Sequence, residues 1–243
     1  MKFPFLKILI GLIFICACSN PTKYIDLQYI EGGTFTMGSD DESAESDERP
    51  PHMTEVRSFY LCKYEVSQKL WVKIMKINPS YFQDPDNPVE SVSHEDIQLF
   101  LERLNSMTGK KYRLPTEVEW EYAAKGGKYH NNHNYSGGDI LDNVGWHKNN
   151  SEEKTHHIGT LAPNQLGIYD MTGNVHEWCQ NVYDGTDYAN NTVTHVDYDL
   201  YFVFRGGSFY SDSTHCRITN RNHAIFNARN FSLGFRLAHD IEN

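Results

Sequence analysis

Cys216 stands beside His215, a thiol next to an imidazole, in a stretch that also carries the hydroxyls of Ser208 and Ser211. Adjacent side chains on an extended strand point to opposite faces, which argues against His215 and Cys216 ligating one metal together. Upstream, Asp170-x-x-Gly173-x-Val175-x-Glu177 sets two carboxylates around turn-forming residues. Their carbonyls can face inward and complete the oxygen cage that calcium requires. The same spacing also suits a tight turn in which Glu177 caps backbone amides. Glu117 and Glu121 lie one helical turn apart on one face, a spacing open to acid–base chemistry. Paired carboxylates of this kind also arise in structural ion-pair networks, here expected with Arg113. Histidines occur as His130/His133, His156/His157, His176, His215 and His223. None matches a helical two-histidine zinc pattern, and loop surface is the expectation for most.

The elements that must hold these residues are partly readable. Ile30 to Ser39 alternates apolar and small polar residues, as a strand entering a turn does. Asp40 to Glu48 is an acidic run expected as an exposed loop. A first helix follows Glu65-Val66-Ser67, with Leu70, Trp71, Ile74 and Met75 at helical spacing, and ends before Asn78-Pro79. A second starts at Ser93, with Asp96 in the place of a capping-box acid, and closes at Gly109. A third begins at Pro115-Thr116, with a capping box to Glu119, and stops at Gly126-Gly127. Beyond Gly127 helical periodicity disappears into Gly-, Asn-, Asp- and Tyr-rich chain. The expectation is an α+β fold with few regular elements and long ordered loops, of the kind that carry function.

The N-terminus reads differently from the rest. Lys2 and Lys7 precede an apolar run from Ile8 to Ile15 and then Cys16-Ala17-Cys18. The run is shorter than the ~20 residues a membrane span needs and fits a signal peptide over 1–17. The Ile15-Cys16-Ala17-Cys18 quartet resembles a bacterial lipobox, which would make Cys18 a lipidated N-terminus, 18–26 a tether and 27–240 one domain. Lipid anchoring of that kind places the protein on a bacterial envelope membrane. The full chain carries a formal charge of −10, and without Lys2 and Lys7 it carries −12. Such a surface has no general attraction for nucleic acid. Cys62, Cys179 and Cys216 remain in the domain with no Cys-x-x-Cys spacing. An odd count leaves at least one free thiol, and Cys62 and Cys179 either pair or serve as small buried hydrophobes.

Several motifs in order carry a family resemblance. They are Gly33-Thr34-Phe35-Thr36-Met37-Gly38-Ser39, Lys63-Tyr64-Glu65-Val66, Asn87-Pro88-Val89-Glu90 and Tyr112-Arg113-Leu114-Pro115-Thr116-Glu117 through Ala124. Leu166 through Trp178, Phe204-Arg205-Gly206-Gly207-Ser208 and Gly234-Phe235-Arg236-Leu237-Ala238 complete the set. Together they resemble the formylglycine-generating enzyme, or sulfatase-modifying factor, family. The resemblance implies that family's compact variant of the C-type lectin fold. It also implies a structural calcium held by the side chains of Asp170 and Glu177 and the carbonyls of Gly173 and Val175. The family's oxidases convert a sulfatase cysteine to formylglycine with copper and dioxygen, using two cysteines after Gly-Gly-Ser. Here the second position is Cys216 and the first is Ser211, so an oxidase would rest on Cys216 with Ser208 and Ser211 beside it. Two thiolates suit Cu(I), whereas a serine hydroxyl is a hard donor that stays protonated.

Phe209 to Leu233 contains no Lys, Glu, Gln, Met or Trp, and the same gap extends back to Asn181. That composition resembles lipoproteins of this fold whose C-terminal segment is diversified to make ligand-binding surfaces. Asn-, Tyr- and Ser-rich loops also have the chemistry of binding paratopes. The leading expectation is therefore a non-oxidase, lipid-anchored module that binds a peptide or protein ligand. Its contact residues would be Tyr210, Ser211, His215, Asn222, His223, Phe226, Asn227 and Phe231. The alternatives are the copper-dependent oxidase acting through Cys216 and a structural part of an envelope secretion or motility assembly.

Overall fold

The computed structural model describes residues 20–183 and 201–241. The expected signal segment 1–17 and the lipidation residue Cys18 lie outside the described residues. Chain packing is already under way at Asn20, whose side chain accepts from the Thr22 amide and starts a short 3-10 turn over Pro21–Tyr24. Pro21 is buried and Tyr24 and Ile25 pack on the core, so much of the expected tether belongs to the folded body.

The strands β1 (Leu27–Ile30), β2 (Gly33–Met37), β3 (His52–Val56) and β4 (Phe59–Cys62) come first. The helices α1 (Gln68–Met75) and α2 (His94–Thr108) follow, then β5 (Tyr112–Arg113) and α3 (Glu117–Ala124). A single helical turn, α4 (Leu141–Val144), precedes β6 (His176–Val182), β7 (Tyr201–Arg205), β8 (Arg221–Ile225), β9 (Leu233–Gly234) and β10 (Ala238–Asp240). One sheet has the order β1-β4-β10-β5, β2 and β3 form a hairpin, and a second four-stranded sheet runs β8-β7-β6-β9. The expected α+β class with long loops is what the chain adopts.

Local chemistry explains the helices. Ser67 caps α1 through Leu70, Ser93 and Asp96 form a reciprocal capping box at α2, and Thr116 with Glu119 does so at α3. Aspartate thus performs the glutamate's part at α2, since its shorter carboxylate still reaches the Ser93 amide at 2.9 Å. Gly109 ends α2 in the left-handed region.

Strand alternation divides the second sheet between two apolar clusters. Trp178, Phe202, Phe204 and Ala224 face the cluster built around α1 and α2. Cys179, Val203 and Tyr201 face the other cluster, with Trp120, Ala123 and Ala124 of α3. The acidic loop between β2 and β3 departs from expectation. Asp40 to Glu42 are exposed, but Glu48 is buried and takes both ends of the Arg217 guanidinium at 2.7 Å each. The Arg113 network is also different. Arg113 pairs with Glu119 and Asp240, whereas Glu117 and Glu121 pair with Arg205, and Glu117 also takes Arg221. The reason is directional: Glu117 and Glu121 share the helix face turned to β7 and β8, and Glu119 lies on another.

Candidate functional site

The turn after β7 brings Ser208, Ser211 and Cys216 together. Gly207 makes this possible: it sits at φ +71°, and a Cβ there would lie 2.8 Å from the Cys216 sulfur. The Ser208 amide donates to Ser211 Oγ at 3.0 Å and also reaches Cys216, so positions 211 and 216 converge on one N–H. Ser208 Oγ and Ser211 Oγ are 3.1 Å apart, and His176 Nε2 lies 3.4 Å from Ser211 Oγ. Cys216 is buried, and that burial pushes its thiol up to about 12, keeping it protonated at neutral pH. Burial, with His215 nearby, pushes the His176 imidazole down to about 4. Loop surface is the expectation for most of the histidines, but His176 lies on β6 with its ring edge against Phe204 and its Nδ1 sealed from solvent. Cys62 and Cys179 are likewise buried and unpaired.

Over this turn lies a cluster of five aromatic rings. Phe209 contacts Phe82, Tyr210 and Phe231, with ring centres 5.2, 6.3 and 5.9 Å away. Tyr81 adds contacts to Phe82 and Phe231 at 4.9 and 6.2 Å. Phe209 is fully buried, while Tyr81, Tyr210 and Phe231 remain 74%, 55% and 41% exposed. The surface therefore presents three large aromatic side chains on a buried aromatic floor. Tyr81 and Phe82 come from the loop after α1, which nothing in the sequence marked. Glu90 holds that loop: its buried carboxylate accepts from the Phe82 amide and the Ser91 hydroxyl.

The other expected contact residues lie on β8 and in the loops on either side of it. Asn222 lies opposite Phe204 on β8 and shares the face of the sheet that carries His176. His223, one residue on, points to the other face and stacks on Tyr183 at 3.9 Å. His215 is exposed and held by Asp212, and Phe226 and Asn227 lie where the chain passes the start of α2. Tyr210, Ser211 and Phe231 are the predicted residues brought together at the aromatic cluster.

A second constellation is fully buried. Arg236 grips Glu177 through two hydrogen bonds of 2.6 Å, and Trp120 donates to the same carboxylate at 2.7 Å. Asp170 accepts from the Gly159 amide, and Glu65 accepts from Asn174 and the Val175 amide. Burial pushes the Asp170 carboxyl up to about 6 and Glu65 well above the usual range, with Asp170 and Glu177 beside it. Gly173 lies at φ +79°, where a Cβ would meet the Trp146 carbonyl at 2.2 Å.

A family model described as the sulfatase-modifying factor enzyme 1-like domain matches residues 18–241. The chain belongs to this family. It is 32% identical to the chaperone protein LppX of Paenibacillus barcinonensis over 234 aligned residues, spanning 73% of this chain and 80% of LppX. It is 32% identical to the formylglycine-generating enzyme of Streptomyces coelicolor over 178 residues, 65% of this chain and 54% of the enzyme, and so spans about half of that protein. Among solved structures, Treponema denticola variable protein 1 superposes with a TM-score of 0.75 at 27% identity, covering 88% of this chain and 95% of that one.

Within this sulfatase-modifying-factor domain the two implied metals meet different donor sets. Positions 211 and 216 offer copper one hydroxyl, already bonded to the Ser208 amide, and one buried protonated thiol. That set does not fit Cu(I), which soft thiolates select. The calcium position offers hard oxygens, and the Asp170 and Glu177 carboxylates lie near one guanidinium, that of Arg236, while burial favours the neutral form of Glu65. Among the described residues no group of three or more His, Cys, Asp or Glu side chains is arranged to hold a metal. Calcium there would depend on Asp170 and Glu177 with the carbonyls of Gly173 and Val175. Among the described residues no helix is long and apolar enough to cross a membrane.

Proposed function

We propose that this protein is a lipid-anchored binding module of the sulfatase-modifying-factor family that takes a polypeptide ligand and does not oxidise it. The carrying observation is the exposed aromatic surface of Tyr81, Tyr210 and Phe231 over Phe82 and Phe209. Rigid aromatic side chains supply much contact area at small entropic cost, and such residues dominate the energetics of interfaces. An exposed aromatic group of this kind marks an interaction site on a soluble domain. Two likenesses support the reading: LppX is described as a chaperone protein and the Treponema denticola neighbour as a variable protein. Lipidation at Cys18 holds the module at the bacterial envelope, and calcium at Asp170, Gly173, Val175 and Glu177 neutralises the buried acids behind it.

The test has two arms. Selection of a displayed random-peptide library on the purified domain yields binders, and the Tyr210→Ala/Phe231→Ala double variant weakens them at least about tenfold. Incubation with Cu(I), dioxygen and a Cys-x-Pro-x-Arg peptide leaves the peptide mass unchanged. Conversion of its thiol to an aldehyde, seen as a loss of mass, would overturn the proposal in favour of an oxidase acting through Cys216.

A further inference from the structure

A second concavity lies beside the aromatic surface and does not depend on it. Its volume is about 370 Å³, and its walls come from the loops around 84–87 and 146–160. One wall is a built aromatic platform. The Trp146 indole stacks on the His156 imidazole at 3.8 Å, with their planes 11° apart. Trp146 Nε1 donates to Thr160 Oγ1 at 2.9 Å, so the indole cannot rotate freely. His156 is fixed by a bond from Nε2 to the Ser151 carbonyl and by its own amide on Asn174. The two loops are tied together by Asn87, which donates to the Thr155 hydroxyl, and by the Ile158 amide on the Asp86 carbonyl. The platform is thus in place before any ligand arrives, which lowers the entropic cost of binding.

The rim selects the ligand's chemistry. Asp84 is half-exposed at the edge, with His157 3.2 Å away, and Lys154 and Thr155 complete the wall. The Lys154 ammonium is already paired with Glu152 at 2.7 Å, and the Asp84 carboxylate accepts from the Asp86 amide and lies against His157, so neither charge stands open to a charged ligand. A wholly apolar ligand would bury polar groups without partners, at a cost. A neutral polyol with an apolar face satisfies both parts, since its hydroxyls donate to the carboxylate while its C–H face lies on the indole. The volume is at the small end of the range for small-molecule pockets and suits one or two sugar rings.

We propose that this pocket is a saccharide-binding site, which takes a hexopyranose ring against Trp146 and a hydroxyl pair on Asp84. The protein carries its own reporter. Of its four tryptophans, Trp71, Trp120 and Trp178 are 2% exposed or less, and Trp146 alone is partly exposed. The purified domain is titrated with methyl α-glucopyranoside, methyl α-mannopyranoside, methyl β-galactopyranoside and N-acetylglucosamine while tryptophan emission is followed. At least one sugar gives a saturable change. Calorimetry on the same sugar then shows binding lost in Trp146→Ala and weakened at least about tenfold in Asp84→Asn, the size expected for a charged hydrogen bond. Asp84 is a surface residue, so that variant tests the site even if Trp146→Ala fails to fold. The proposal is overturned if none of the four sugars gives a saturable change, or if Asp84→Asn binds as tightly as the native protein. Tyr210→Ala separates the two sites, because it removes part of the aromatic surface and leaves the pocket intact.

Discussion

At the scale of single residues, the decisive position is 211. Ser211 Oγ and the Cys216 thiol both approach the Ser208 amide, so the geometry for a pair of donors is present while one of the donors is hard. Ser211→Cys should therefore create a Cu(I) site that the native protein lacks. In competition with a Cu(I) chelator, the variant is expected to retain about one equivalent of copper and the native domain none. Equal copper retention by the two proteins would show that position 211 does not govern the metal. Burial of Cys216 sharpens the contrast, because an isolated thiol pushed up to about 12 offers little thiolate to any soft metal.

At the scale of elements, α3 is the clasp that holds the functional strands. Glu117 at its start accepts from Arg221 at 2.7 and 2.8 Å and from Arg205 at 3.0 Å, and Glu121 one turn later accepts from Arg205, Lys125 and the Gly38 amide. Glu117→Ala would leave two buried guanidinium groups short of a carboxylate, at a cost of roughly 3–5 kcal/mol. Urea unfolding measures it, and a loss below about 1 kcal/mol would mean that the pairs contribute little net stability. The helices themselves were legible in the sequence, because capping residues and 3.6-residue periodicity are local signals. The partners of their charges were not. Glu117 and Arg221 are far apart in the chain, and only the packed direction of α3 decides that Arg113 takes Glu119 instead. The same limit applies at the site: Tyr210 and Phe231 could be named from composition, whereas Tyr81 and Phe82 join them only through tertiary packing. Composition also groups His223 with its neighbour Asn222, and the alternation of β8 separates them.

At the scale of the whole molecule, the proposed attachment and the proposed recognition surface belong to different parts of the chain. The proposed lipidation at Cys18 predicts that Cys18→Ser moves the protein from the membrane pellet to the soluble fraction of lysed cells, and an unchanged distribution would count against the anchor. The described residues are already packed from Pro21, so an anchor at Cys18 would hold the folded body near the lipid surface. The C-terminal stretch from Arg205 to Arg236 is fastened at five points, each an arginine whose carboxylate partner lies elsewhere in the chain: Arg205 on Glu117 and Glu121, Arg217 on Glu48, Arg221 on Glu117, Arg229 on Asp96 and Arg236 on Glu177. The side chains of Tyr210, His215, Asn227 and Phe231, between those rivets, take no part in these long-range ion pairs. Substitution of the exposed side chains among them is therefore expected to leave the shape in place, so that a change of specificity in this stretch would not require a rebuilt fold.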